Sequence, residues 1–109
     1  MNMRLNDWVN EIHKLAKEKG WWDNNRNPLE IHMLMVSEIA EATECYRDNK
    51  IDYYVSDSKK PEGEAAELVD CIIRIMDYFG YKGWNLETLL QIKHDYNKTR
   101  PYRHGGKKA

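Results

Sequence analysis

Hydrophobic and polar positions alternate along the chain in four helical stretches separated by polar, turn-rich segments. Leu5, Trp8, Val9, Ile12, Leu15 and Ala16 recur at spacings of three and four, which predicts an amphipathic helix. Asn6 is the expected cap, Gly20 the expected stop, and Lys14, Lys17, Glu18 and Lys19 form the wet side. Residues 20–27 are a turn-rich linker carrying Trp21 and Trp22. Those rings either close one end of a helical bundle or offer one face to a nucleobase. Asn27-Pro28-Leu29-Glu30 then opens a second helix, because Asn caps well, Pro suits the first helical position and Glu30 has capping-box spacing.

That helix is predicted to run to about Asn49, with Leu29, Met33, Val36, Ala40 and Thr43 in one row and Met35, Ile39, Ala42 and Tyr46 in another. Its first half leaves little for solvent, so Glu38 and Glu41 interrupt a mostly buried surface. The pattern lapses over 50–63, where Ile51, Tyr53, Tyr54 and Val55 read equally as an extended piece or a helical extension. A third helix is expected over 62–79. Its apolar rows (Leu68, Ile72, Ile75, Phe79 and Ala66, Val69, Ile73, Met76) flank a polar stripe of Glu67, Asp70, Arg74 and Asp77. Arg74 can neutralise Asp70 or Asp77, which leaves Glu64 and Glu67 over. Residues 80–84, starting at Gly80, are expected to break this helix. Asn85 caps a fourth, over 86–99, anchored by Leu86, Leu89, Leu90 and Ile92 and ended by Pro101.

With 109 residues, 41% hydrophobic and 32% charged, the chain is expected to form one all-α domain, a four-helix bundle-like protomer. A net charge of -1 argues against a general binder of nucleic-acid polymers. No apolar run is long enough to span a membrane and the start lacks a signal-peptide core, so a cytoplasmic location is expected. Cys45 and Cys71 sit in apolar helical rows and read as buried free thiols. The tail over 101–109 reads as flexible and basic. Apolar residues on more than one helix face, Leu68 and Ile73 among them, predict an oligomer.

The acids carry the chemistry. Glu38 and Glu41, like Glu67 and Asp70, are three apart and share a helix face, where like charges repel unless a cation intervenes. Oxygen-only ligands of high charge suit Mg²⁺ or Mn²⁺ rather than zinc. Lys93, Asn97 and Arg100 make a stripe of donors on the fourth helix, and Lys107 follows in the tail. Such a set suits hydrolysis of a phosphoanhydride by in-line attack of metal-activated water.

Glu38-x-x-Glu41 followed by Glu67-x-x-Asp70 resembles the signature of the all-α MazG-type nucleotide pyrophosphohydrolases. The segments Gly20-Trp21-Trp22-Asp23 and Lys60-Pro61-Glu62-Gly63 through Ile73-Arg74-Ile75 are similar to one MazG-like subgroup. The resemblance covers nearly the whole chain. It implies an enzyme that cleaves a nucleoside triphosphate to monophosphate and pyrophosphate, with Glu38, Glu41, Glu67 and Asp70 as metal ligands. Lys93, Asn97 and Arg100 would contact substrate, and a homodimer or a pair of dimers would complete the site. Lys107, as a donor in the tail, and Trp22, as a stacking ring in the linker, join them as substrate-binding candidates on their own chemistry. Phosphoribosyl-ATP pyrophosphohydrolase is a rival within the same fold, and a helical interaction module with structural acids is a rival outside catalysis. A di-iron carboxylate bundle would want Glu-x-x-His on two helices, and neither acidic stretch carries it. His13 and His94 read as helix-surface residues, and His32 as a partly buried neighbour of the site.

Overall fold

The computed structural model describes residues 2–103 and is mainly α. In chain order it has α1 (Leu5–Glu18), α2 (Pro28–Arg47), a hairpin of β1 (Tyr54–Val55) and β2 (Pro61–Glu62), α3 (Glu64–Lys82) and α4 (Leu86–Thr99). The ambiguous stretch after α2 is therefore extended, with Tyr54 paired to Glu62 and Val55 to Pro61 in antiparallel register. The tail from His104 onward, with Lys107, lies outside the described residues. No helix among the described residues is long and apolar enough to cross a membrane.

The helix ends follow local chemistry, with two corrections. The α1 cap is Arg4, whose amide donates to Asp7 Oδ2 at 2.9 Å, and not Asn6. Asn6 instead fastens α4 to α1. Its amide donates to Glu87 Oε2 at 2.9 Å, and its side chain donates to Asn85 Oδ1 at 2.9 Å. At the other end of α1, Gly20 has φ +86°, and Trp21 N–H reaches back to the Ala16 carbonyl at 3.1 Å, which closes a Schellman turn. Asn27 caps α2 through a 2.9 Å bond from Leu29 N–H, as its sequence implies. The first amides of α3 are taken by the preceding loop, Glu64 N–H by the Lys50 carbonyl and Ala65 N–H by that of Asp52, at 2.9 and 2.7 Å.

The second correction is Gly80. It does not break α3, which runs on to Lys82 and stops at Gly83, with φ +71°. Gly80 marks where α1 crosses α3: a Cβ placed there would stand 2.5 Å from the Cβ of His13. The missing side chain lets the two helices approach, so its role is packing rather than termination.

The core is thin. Val9, Ile31, Ala42, Cys71 and Tyr78 are buried, and no side chain is wholly enclosed among the described residues. Cys45 is half-buried, and both thiols are free. The expectation that the first half of α2 is covered does not hold within one chain, since Leu29, Met33, Val36 and Ile39 all lie exposed. The same is true of Leu68, Val69, Ile72 and Ile73 on α3. The radius of gyration is 16.6 Å, against about 13 Å for a compact chain of this length. The reason is visible in the packing: α2 and α3 pair closely, α1 lies on α3, and α4 touches the rest mainly through α1 with no buried residue of its own.

Candidate metal centre and cleft

Pairing of α2 with α3 brings the two acidic stretches together. Glu38, Glu67 and Asp70 each offer a carboxylate oxygen, and these atoms all lie within 4.8 Å of one another. Glu38 is buried, Glu67 half-buried and Asp70 exposed, so the cluster descends from solvent into the helix interface. Glu41 lies outside this trio but stands beside Glu67. Partial burial, a hydrogen bond with Glu41 and the charges of Glu41, Asp70 and Glu38 push the Glu67 carboxyl up to about 7. The cluster thus carries more negative charge than its surroundings neutralise, the condition under which a hard dication is favoured.

Arg74 answers Glu38, not Asp70 or Asp77. Its Nε donates to Glu38 Oε1 at 3.2 Å, with the Arg74 side chain 32% exposed and that of Glu38 8%. Asp77 belongs to a different network. It accepts from Trp22 Nε1 at 2.9 and 3.1 Å, bonds His13 Nδ1 at 2.8 Å and lies 4.0 Å from Arg26. Trp22 also stacks on Tyr81 at 4.2 Å with planes 9° apart, and the Arg26 guanidinium lies 4.6 Å above the ring. Of the two readings for the linker tryptophans, Trp22 follows the bundle-closing one, because its ring and its N–H are both committed to the protein. His13 is accordingly half-buried at the α1–α3 crossing and not a surface residue, while His32 is exposed and packs edge-on to Tyr78.

Beside the acids opens a cleft of about 560 Å³. Trp8, Leu15 and Trp21 give it an apolar wall, Glu38 and Asp70 one charged edge, and Lys19, Arg26 and Arg74 its cations. Trp21, more than half exposed, is the linker ring available there. Sequence reasoning missed Trp21, Arg26 and Lys19 as cleft residues. Nothing local separates Trp21 from Trp22, since the choice is made by Asp77 and Tyr81 far along the chain. Lys93 and Asn97 on α4 and Arg100 just past its end are exposed, and no hydrogen bond or ion pair among the described residues joins them to the acids. Apart from the Asn6–Glu87 link to α1, the side-chain contacts of this region are local: Lys98 with Asp95, Gln91 with Asp95, and Arg100 over Tyr96.

No protein-family model, curated protein or solved structure matches this chain.

Proposed function

We propose that the chain is a Mg²⁺-dependent nucleoside triphosphate pyrophosphohydrolase of the MazG-like kind, converting a (d)NTP to (d)NMP and pyrophosphate. The observation that carries this reading is the convergence of Glu38, Glu67 and Asp70 within 4.8 Å at the edge of a cleft holding both tryptophan faces and cations. The donor set fits Mg²⁺, with Mn²⁺ as an alternative: it is all oxygen, strongly negative and open to solvent on one side. Glu38, Glu67 and Asp70 would hold the ion, with Glu41 beside Glu67 adding negative charge to the site. When bound, such an ion neutralises phosphate charge and activates water.

The chain's own residues divide the remaining work. Trp8 and Trp21 offer apolar faces of the kind a base stacks on, and Arg26, Arg74 and Lys19 carry charge for the phosphate chain. Water attacks the α-phosphorus and the α–β anhydride bond breaks, so each turnover yields one monophosphate and one pyrophosphate. A homodimer or a pair of dimers accounts for the open apolar rows of α2 and α3. A second copy also gives Lys93, Asn97 and Arg100 a route to a neighbouring site that they lack within one chain.

Chromatography of the products after partial turnover tests the chemistry. Monophosphate and pyrophosphate in equal amounts are expected, and diphosphate with inorganic phosphate would overturn the reading. Sedimentation tests the assembly, for which a dimer or tetramer is expected; a folded monomer at low concentration would remove it.

A further inference from the structure

We infer that Arg74 is an internal counter-cation that holds the place of the divalent ion at Glu38 and yields it when that ion arrives. This role rests on the metal-dependent reading above. Three observations carry it. Glu38 is 6% exposed, and its one ion pair among the described residues is with Arg74, through Nε to Oε1. Its second oxygen makes no hydrogen bond among the described residues, yet no wholly buried polar side-chain atom there lacks a partner, so that oxygen is not fully enclosed, and Glu38 is one of the residues that line the cleft. Arg74 also lines the cleft, and no hydrogen bond among the described residues uses its two terminal nitrogens.

A buried carboxylate without a cation is costly, so Glu38 needs a partner whenever no metal is bound. Arg74 supplies one by a single bond from the side of its fork, which leaves the bidentate edge unspent. A divalent ion shared by Glu38, Glu67 and Asp70 brings two further positive charges to the same carboxylate. The two cations then compete for Glu38, and the guanidinium is released toward the cleft. There its paired N–H groups suit two phosphate oxygens, a geometry that a lysine ammonium does not reproduce.

Competition predicts effects of opposite sign on metal and on phosphate. Binding of Mn²⁺ alone, followed by loss of the free-ion electron paramagnetic resonance signal, should be on the order of tenfold tighter in Arg74→Gln than in the wild type. Binding of inorganic pyrophosphate in the presence of Mg²⁺ should weaken by a similar factor in the same variant. Arg74→Lys, which keeps the charge, should bind Mn²⁺ as the wild type does. Unchanged or weaker Mn²⁺ binding in Arg74→Gln, or Arg74→Lys as tight as Arg74→Gln, overturns the inference. Should Arg74→Gln not fold, the wild type answers alone. Its Arg74 Nε–H resonance, protected by Glu38, should lose that protection on adding Mg²⁺, and persistence of the protection overturns the inference. Failure of the wild type to bind Mn²⁺ at all would instead overturn the metal site and the proposed function with it.

Discussion

The molecule contains the same ion-pair distance twice. Arg74 meets Glu38 at 3.2 Å, and Lys98 meets Asp95 at 3.2 Å. The first joins α3 to α2 at a buried carboxylate, whereas the second spans one turn of α4 with side chains 62% and 55% exposed. Distance therefore says little about what a pair does. In water the attraction is screened and offset by the entropy of holding two long side chains, so such pairs contribute about 0–1 kcal/mol. At a buried carboxylate the alternative to pairing is an unsolvated charge, and removing the partner is the expensive event. One pair organises a site, and the other decorates a helix.

On the function proposed above, the largest expected contrast is in catalysis. Glu67→Gln or Asp70→Asn should lower the turnover number by roughly a hundredfold or more, since stabilising charge at the reacting phosphate is commonly the largest single source of rate acceleration. Asp95→Asn should leave it within about twofold, because an exposed intrahelical pair on α4 has no part in holding the acids. Pyrophosphate release under saturating substrate measures both, and equal losses in the two helices would erase the distinction.

Stability should separate the pairs less widely. Arg74→Ala is expected to cost about 2–3 kcal/mol, below the usual figure for breaking a buried pair because Arg74 itself is a third exposed. Lys98→Ala should cost no more than about 0.5 kcal/mol. Urea unfolding in the presence of chelator gives both values, and matching midpoints would mean that burial at Glu38 carries no weight.

The subtlest effect is the dependence on pH. Folding lifts the Glu67 carboxyl from 4.5 to about 7, so the folded chain holds that proton more tightly than the unfolded one. The contribution of Glu67 to the stability of the metal-free protein should therefore be fully present below the ordinary value, decline as pH rises toward about 7, then level off. Glu67→Gln should flatten this decline, and added Mg²⁺ should offset it by binding only the folded state. A wild-type curve that instead rose relative to Glu67→Gln across that window would contradict the crowding of charge at the cluster.

What was legible in the chain was what local spacing controls. The rows Leu5–Trp8–Ile12 and Leu86–Leu89–Leu90 placed their helices, Asn27-Pro28 placed the α2 start, and the acid pairs three residues apart did meet across α2 and α3. What was not legible depends on which helix faces which. The polar stripe of α3 suggested that Arg74 serves its own helix, yet the closeness of α2 hands it to Glu38. Gly80 reads as a breaker in one dimension and as a crossing point in three, because His13 is its neighbour only after folding. Trp21 and Trp22 are told apart only after folding, when Asp77, Tyr81 and Arg26 close on Trp22. The apolar rows of α2 suggested a covered surface, yet Leu29, Met33, Val36 and Ile39 stay exposed, because α3 packs against only one side of the helix.

The hairpin between α2 and α3 carries a consequence for dissection of the molecule. Its tip, from Ser56 to Lys60, is exposed apart from the half-buried Ser56, and Lys59 sits there at φ +68°. On both sides the chain is tied down, by the Tyr54–Glu62 and Val55–Pro61 register and by the Lys50 and Asp52 carbonyls on the first turn of α3. Pro61 shields the bond after Lys60 from trypsin, which leaves the one after Lys59 as the natural point of scission. A cut there separates Glu38 and Glu41 from Glu67 and Asp70, so neither fragment alone owns the carboxylate trio, while the α2–α3 and α1–α3 interfaces still span the break. The protein is therefore expected to divide into two complementing halves, whose reassembly would be followed by the return of metal binding at the carboxylate trio.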